Sequence, residues 1–257
     1  MNRTIDTSAK EQTATGIQLF FTIGGINEEL LKGSRVVVID VLRSAASIVA
    51  ALDKDAKYVI PAASVDAASN LASQIPRDDV LLCGEHEAKT VDGFDLGNSP
   101  SEYTRERVGG RRLIFASTNG SPALLKCSGA KSVYLCGFIN LNAVIDALLK
   151  LADPFPLTIV CAGNHNQFSL DDSVCGGMLI QRIHQRIDHQ LELNDGARAA
   201  EKLALEFGGD ILELLNETVH GRNLRDIGFE DDLALCAADS IYSVVPTLSD
   251  GRLIAIK

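Results

Sequence analysis

Short runs rich in Val, Ile, Leu and Tyr, at 36–40, 58–60, 80–83, 113–116, 132–136 and 157–162, alternate with segments whose apolar residues recur at helical spacing. Strands repeat every two residues and helices every 3.6, so the alternation marks strand–helix–strand units. Parallel neighbours need such a crossover, and parallel strands are buried on both faces. The pattern therefore predicts an α/β fold, a three-layer α/β/α arrangement with a mainly parallel sheet. Helices are expected over 43–52, 65–75, 122–127, 141–151 and 170–186, with one more strand at 17–22. Beyond residue 190 the rhythm becomes a helical C-terminal segment, 196–207, 210–217 and 231–240, closed by a final strand pair at 244–248 and 253–256.

Residues 1–15 are polar and read as a disordered leader. The remainder, 16–257, has no Pro/Gly/Ser-rich linker and reads as a single α/β domain. A chain of 257 residues with 46% hydrophobic residues can bury a substantial core. With 24 Lys and Arg against 34 Asp and Glu the net charge is −10. No basic cluster with interleaved aromatics occurs, so neither a nucleic-acid groove nor an anionic membrane is an expected partner. A small molecule is; if it is anionic, the field of the whole chain repels it and the site must supply local positive charge. The six cysteines, Cys83, Cys127, Cys136, Cys161, Cys175 and Cys236, show no C-x-x-C spacing and read as buried reduced thiols. No apolar run approaches the ~18 residues of a membrane helix, which makes a cytoplasmic location the default expectation. Oligomeric state is left open, a homo-oligomer included.

In an open parallel sheet, ligands bind beyond the carboxyl ends of the strands. Asp40 closes the run Val-Val-Val-Ile, and Arg43 follows it. A carboxylate there suits a hard divalent cation and a guanidinium grips an anion, although an aspartate capping the next helix and pairing with Arg43 fits the same residues. In Ser117-Thr118-Asn119-Gly120-Ser121-Pro122, Pro122 suits the first helical position and Ser121 the N-cap. The free amides of such a start, with Gly120, would admit a phosphate or sulfonate; an ordinary capped turn is the alternative. Ser169 and Asp172 have capping-box spacing, which gives at least one of the carboxylates Asp171 and Asp172 a capping role and leaves both as secondary metal candidates. The polar stretch from Gly84 to Pro100 exceeds the two to six residues that a structural turn needs. Glu85, His86, Glu87 and Lys89 crowd its strand end, and Asp40, Glu85 and Asp172 together offer oxygen ligands beside the cations Arg43 and Lys89.

Other chemistries lack their motifs. There is no Gly-x-Ser-x-Gly elbow, no Gly-x4-Gly-Lys-Ser/Thr loop, no Gly-x-Gly-x-x-Gly fingerprint and no His-Glu-x-x-His. No cysteine has an arginine six residues on, Leu42 stands where an aspartyl phosphatase wants its second Asp, and the five histidines have no zinc-like spacing. Oxygen-ligand chemistry of the Mg²⁺ type survives.

Asp40-Val41-Leu42-Arg43, Gly93-Phe94-Asp95-Leu96-Gly97-Asn98-Ser99-Pro100 with Glu102-Tyr103, Thr118-Asn119-Gly120, and Cys161-Ala162-Gly163 followed by Phe168-Ser169-Leu170-Asp171-Asp172 resemble the 2-phosphosulfolactate phosphatase family. Gly228-Phe229-x-x-Asp232-Leu233 and Val245-Pro246 extend the likeness to the last residues. The resemblance implies a Mg²⁺-dependent hydrolase that converts (R)-2-phospho-3-sulfolactate to sulfolactate and phosphate, a step of coenzyme M biosynthesis in methanogens. It implies Glu85 facing the metal, and Lys89 and Asn98 facing the anionic substrate. Two departures from the family pattern touch the anion contacts. His86 stands where members commonly have Arg, and Ser44-Ala45-Ala46 replaces Ala-Thr-Ser/Thr.

The expected mechanism has Mg²⁺ on Asp40 and Glu85, with Asp172 a further candidate, and Arg43 and the 118–121 amides stabilising the transition state. Ser44, His86, Lys89, Asn98, Thr118, Asn119, Gly120 and Ser121 are the expected substrate contacts, His86 pointing to solvent being the alternative for that residue. A non-catalytic sensor of an anionic metabolite would use the same cradles.

Overall fold

A computed structural model describes residues 16–256; the expected leader, 1–15, lies outside the described residues. In chain order the elements are β1 (Gly16–Phe20), α1 (Glu28–Leu31), β2 (Arg35–Ile39), α2 (Ala46–Asp53), β3 (Tyr58–Ala62), α3 (Val65–Ala72), β4 (Val80–His86) and β5 (Lys89–Thr90). Then come α4 (Arg105–Val108), β6 (Arg112–Ala116), α5 (Gly120–Lys126), β7 (Ser132–Cys136), α6 (Leu141–Leu149), β8 (Leu157–Cys161), α7 (Leu170–His184) and β9 (Glu192–Leu193). The last part is α8 (Asp195–Phe207), α9 (Ile211–Glu217), α10 (Val219–Asp226), α11 (Glu230–Ala237), β10 (Val245–Ser249) and β11 (Arg252–Ile256). The mainly parallel α/β fold and the closing strand pair agree with the sequence reading.

The sheet order is β5-β4-β6-β3-β11-β10-β7-β2-β8-β1-β9. It contains two parallel blocks, β4-β6-β3 and β7-β2-β8-β1-β9, separated by the antiparallel hairpin β10–β11. Tyr58 and Val80 flank Arg112 of β6, just as Ser132 and Leu157 flank Arg35 of β2. The runs β2–β3–β4 and β6–β7–β8 thus repeat one topology in one register. Each lends its first strand to the centre of the block that the other's second and third strands build.

Through the hairpin the two blocks run in opposite nominal directions, and β2 and β6 stand five positions apart. In a flat sheet that is about 24 Å. Yet the hydroxyls of Ser44, after β2, and Ser117, after β6, are 3.2 Å apart. The sheet must therefore be strongly coiled. A twist of about 20–25° per step, accumulated over those positions, swings the two sets of carboxyl ends toward each other. The single residue pair joining β11 to β3, Leu253 with Val59, leaves that seam free to bend.

The core follows from the sequence. All of Arg35–Ile39 and all of Leu157–Cys161 are buried, as strands covered on both faces require. One hydrophobic cluster runs through both blocks, with a small second cluster under α3. Among the described residues no helix is long and apolar enough to cross a membrane.

Two helix boundaries differ in ways that matter for the site. The helix expected from residue 43 begins at Ala46, because 41–45 forms a wide irregular turn in which Leu42 is non-helical (φ −111°, ψ 95°). The helix expected from Pro122 begins at Gly120, so Ser121 lies inside it and Asn119 takes the cap position. α10 was not expected at all: VHGRNLRD carries few apolar residues and an internal glycine, and periodicity has little to register there.

Candidate active site where the two blocks meet

Asp40 is buried at the end of β2, and its Oδ1 accepts the Ser44 amide at 3.3 Å. At the matching place after β6, Ser117 Oγ accepts the Ser121 amide at 2.9 Å. The same side-chain bond to the i+4 amide follows both strands, from a carboxylate in one and a hydroxyl in the other, although the backbone of the two turns differs. The capping reading of Asp40 therefore holds. Its other oxygen, Oδ2, faces Gly120: a Cβ built on that glycine would stand 2.2 Å from Asp40 Oδ2 and 2.6 Å from Ser44 Oγ. Only glycine lets the start of α5 approach the carboxylate this closely. Burial pushes the Asp40 carboxyl up to about 6, against hydrogen bonds from Ser44 that lower it, and nearby Glu85 and Asp171 add to the rise.

Glu85, at the end of β4, is used up by its neighbours. Oε1 accepts the Thr118 amide at 2.6 Å, while Oε2 accepts the Ala88 amide at 2.6 Å and the Thr118 hydroxyl at 3.1 Å. The β4–β5 turn it supports has Glu87 and Ala88 at φ 50° and 65°, left-handed geometry usually given to Gly or Asn. Glu85 thereby pins both the turn and the 118–120 segment. Ser121 Oγ donates to the Phe115 carbonyl at 3.0 Å, and its role is local.

Arg43 is buried and does not pair with Asp40. It donates to Asp232 Oδ2 at 2.6 Å and to the Ala88 carbonyl at 2.8 Å, and its guanidinium stacks 4.3 Å over Phe229. Asp232 also accepts from Ser99 Oγ at 2.6 Å. The Gly228-Phe229-x-x-Asp232 segment thus reaches the site by holding Arg43.

Most of the GFDLGNSP block is scaffold. Asp95 accepts from the Leu82 amide and Arg77, the Gly97 amide donates to Glu102, and Tyr103 donates to the Gly97 carbonyl. Of the block only Asn98 faces the cavity.

That cavity, about 500 Å³, is lined by Asp40, Leu42, Arg43, Ser44, Glu85, Lys89, Asn98, Thr118 and Asn119 among others. Lys89 is exposed at its mouth. His86 is exposed and lines a neighbouring hollow, formed with 63–66 and 90–92, instead.

The family model for 2-phosphosulpholactate phosphatase matches residues 20–251. The chain belongs to the 2-phosphosulpholactate phosphatase family. It is 37% identical over 229 residues, 89% of this chain and 97% of the relative, to a protein of Symbiobacterium thermophilum named as a probable 2-phosphosulfolactate phosphatase. Relatives of the same name from Caldanaerobacter subterraneus subsp. tengcongensis, 35% identical over 91% of this chain and 96% of the relative, and Thermotoga maritima, 34% over 85% and 90%, span nearly the same length.

The carboxylates are the place to test whether a divalent cation fits this member of the phosphatase family. Asp172 joins the ends of β2 and β8: Oδ1 accepts the Val41 amide at 2.9 Å and Oδ2 the Gly163 amide at 3.0 Å. Glu85 is equally occupied. Among the described residues no group of three His, Cys, Asp or Glu side chains is disposed to hold a metal ion. Of the buried carboxylates Asp40, Glu85, Asp171 and Asp172, two oxygens stay open, Asp40 Oδ2 and Asp171 Oδ2, the latter without any hydrogen-bond partner. Mg²⁺ commonly takes one or two carboxylates and completes its shell with water and substrate phosphate, and the open oxygens fit that pattern. Ser169 caps α7 as expected, accepting the Asp172 amide at 3.5 Å.

Sequence reasoning missed His220 and Asn223 of α10 and Asn164 and His165 after β8, all of which line the cavity. Burial pushes the His220 imidazole below its usual value, so it is neutral at neutral pH; Asp171 and Glu85 oppose the shift and Arg43 and His165 reinforce it. Cys161 is buried, and burial holds its thiol well above the usual range, which leaves no thiolate nucleophile there.

Proposed function

We propose that this chain is a Mg²⁺-dependent phosphoric monoester hydrolase acting on 2-phosphosulfolactate, or a closely related phosphorylated hydroxy acid, to give sulfolactate and phosphate. The observation that carries the reading is the approach of Gly120 to Asp40 and Ser44, which sets an open carboxylate oxygen against a backbone cradle inside a cavity of substrate size.

Asp40, with Asp171 behind it, would hold the cation, which when bound supplies Lewis-acid neutralisation of phosphate charge. The amides of Asn119 and Gly120, in a segment fixed by the Thr118–Glu85 bonds, present donors to the non-bridging oxygens. Lys89 at the mouth supplies the local positive charge that a chain of net charge −10 needs to draw in an anion. Arg43, already bonded to Asp232, acts as a fixed dipole in the wall and adds no free charge. Neutral His220 can take a proton from the attacking water at a ring nitrogen. Asp172 and Ser121 shape the loops.

Phosphate release from 2-phosphosulfolactate by purified protein, with Mg²⁺ and with EDTA, tests the reading. Release that EDTA abolishes is expected. Binding of the ester with no release under either condition would make the protein a sensor and overturn it.

A further inference from the structure

The polar side chains at one wall of the cavity are bonded to the protein itself: Glu85 to three donors, Asp40 to Ser44 and Arg43 to Asp232. Asn164, His165 and Asn223 also line the cavity, and among the described residues none of these side chains makes a hydrogen bond to the protein. They are nonetheless well placed. Asn164 and Gln167 exchange backbone hydrogen bonds at 3.0 and 2.8 Å, closing a turn in which His165 and Asn166 take left-handed φ of 49° and 59°. The His165 amide donates to Asn119 Oδ1 at 2.9 Å, tying that turn to the segment next to Asp40. Asn223 lies on α10 and lines the same cavity.

We propose that Asn164, His165 and Asn223 form a subsite for a sulfonate, the anionic group the substrate carries beyond its phosphate and carboxylate. The proposal rests on the phosphatase reading above. A sulfonate is a permanent monoanion whose charge is spread over three oxygens, each a modest acceptor. Several neutral N–H donors from different directions match it better than one point cation, and this wall offers amides and an imidazole. The cations of the cavity are placed elsewhere: Arg43 is paired with Asp232, and Lys89 sits on the β4–β5 hairpin. Pre-setting the donors on a pinned turn and a helix lowers the ordering cost of binding.

The test compares 2-phosphosulfolactate with 2-phospholactate, which lacks only the sulfonate, in wild type, Asn223→Ala, Asn164→Ala and Asn223→Asp. Loss of one donor to a charged group should lower the ratio of kcat/KM for the two esters about ten-fold, and the added carboxylate of Asn223→Asp should lower it further. Calorimetric binding of 3-sulfolactate and of lactate to the same proteins gives a readout independent of turnover. Weaker binding of sulfolactate with little change for lactate is the expected result. A ratio that is the same in every variant overturns the subsite. So does equal loss of both ligands, which would assign the wall to the shared carboxylate. If wild type hydrolyses neither ester, the phosphatase reading falls, and the calorimetry still decides the subsite on its own.

Discussion

The ends of β2 and β6 occupy equivalent places in the repeated topology and share one side-chain bond, but they are equipped differently. After β2 the side chain that accepts the i+4 amide is the carboxylate of Asp40, with Asp171 and Asp172 close behind it on α7. After β6 the same bond is made by the hydroxyl of Ser117, followed by Thr118, Asn119 and Gly120. One end concentrates buried carboxylates, whose negative charge a bound cation or a proton relieves. The other concentrates neutral donors suited to anionic oxygens. Coiling of the sheet sets the two face to face, so a repeated topology yields one asymmetric site.

Removing the charge from the β2 end should have the largest effect. Asp40→Asn is expected to lower turnover by roughly a thousand-fold or more, since it removes the one buried carboxylate of the cavity lining that keeps an open oxygen. The same change should stabilise the metal-free protein. Folding raises the Asp40 carboxyl from 3.8 to about 6, so the folded state binds more protons than the unfolded one between those values. Stability therefore falls as pH rises through that window, by up to about 3 kcal/mol, and no cost arises below the unfolded value. Urea unfolding in EDTA should find Asp40→Asn more stable than wild type at pH 8 and equal to it near pH 3.5. A wild type as stable as the variant at pH 8 would mean that the carboxylate is not strained by burial.

Asp232→Ala breaks the partition from the other direction, by leaving Arg43 as an unpaired buried charge. A loss of about 3–5 kcal/mol in urea unfolding is expected, with Asp232→Asn less affected. Equal stability of wild type and Asp232→Ala would show that Arg43 finds another partner.

The alternation of strand and helix, the placement of the loops at strand ends and the capping position of Asp40 could be read from the chain, because each leaves a local mark: period, turn residues, a terminal carboxylate. The repeat could not. RVVVID and RLIFAS share their apolar character and little else, and only the strand register reveals that they are equivalent. Nor could pairing be read from spacing: Arg43 lies three residues from Asp40, yet its partner is 189 residues away. Glu85 and Asp172 had the right chemistry for a metal, but backbone amides occupy their oxygens, near ones from Ala88 and Gly163 and distant ones from Thr118 and Val41. His220 and Asn223 sit on a helix with few apolar residues to mark it in the sequence, Val219 and Leu224 among them.

Ser117→Ala sharpens the comparison at the β6 end. Losing the oxygen that accepts the Ser121 amide should cost about 1 kcal/mol, with activity reduced only several-fold, far less than for Asp40→Asn. A loss as large as that of Asp40→Asn would indicate that the hydroxyl itself reacts. The smallest effect is expected at His86, which lies outside the cavity. Its replacement by Arg should leave the kcat/KM profile between pH 6 and 8 superimposable on wild type within about two-fold, since an exposed imidazole that does not meet the substrate cannot impose its titration on it. A profile flattened by the arginine would place His86 in contact with the substrate.

The division of labour is tested most directly by following thermal unfolding of wild type, Asp40→Asn and Lys89→Met with added Mg²⁺, and separately with added inorganic phosphate in EDTA. Ligands that bind only the folded state raise the midpoint by mass action. Asp40→Asn is predicted to lose the Mg²⁺ response and keep the phosphate response, and Lys89→Met to keep the Mg²⁺ response and lose most of the phosphate response. Loss of both responses in either variant, or an undiminished Mg²⁺ response in Asp40→Asn, would contradict the account.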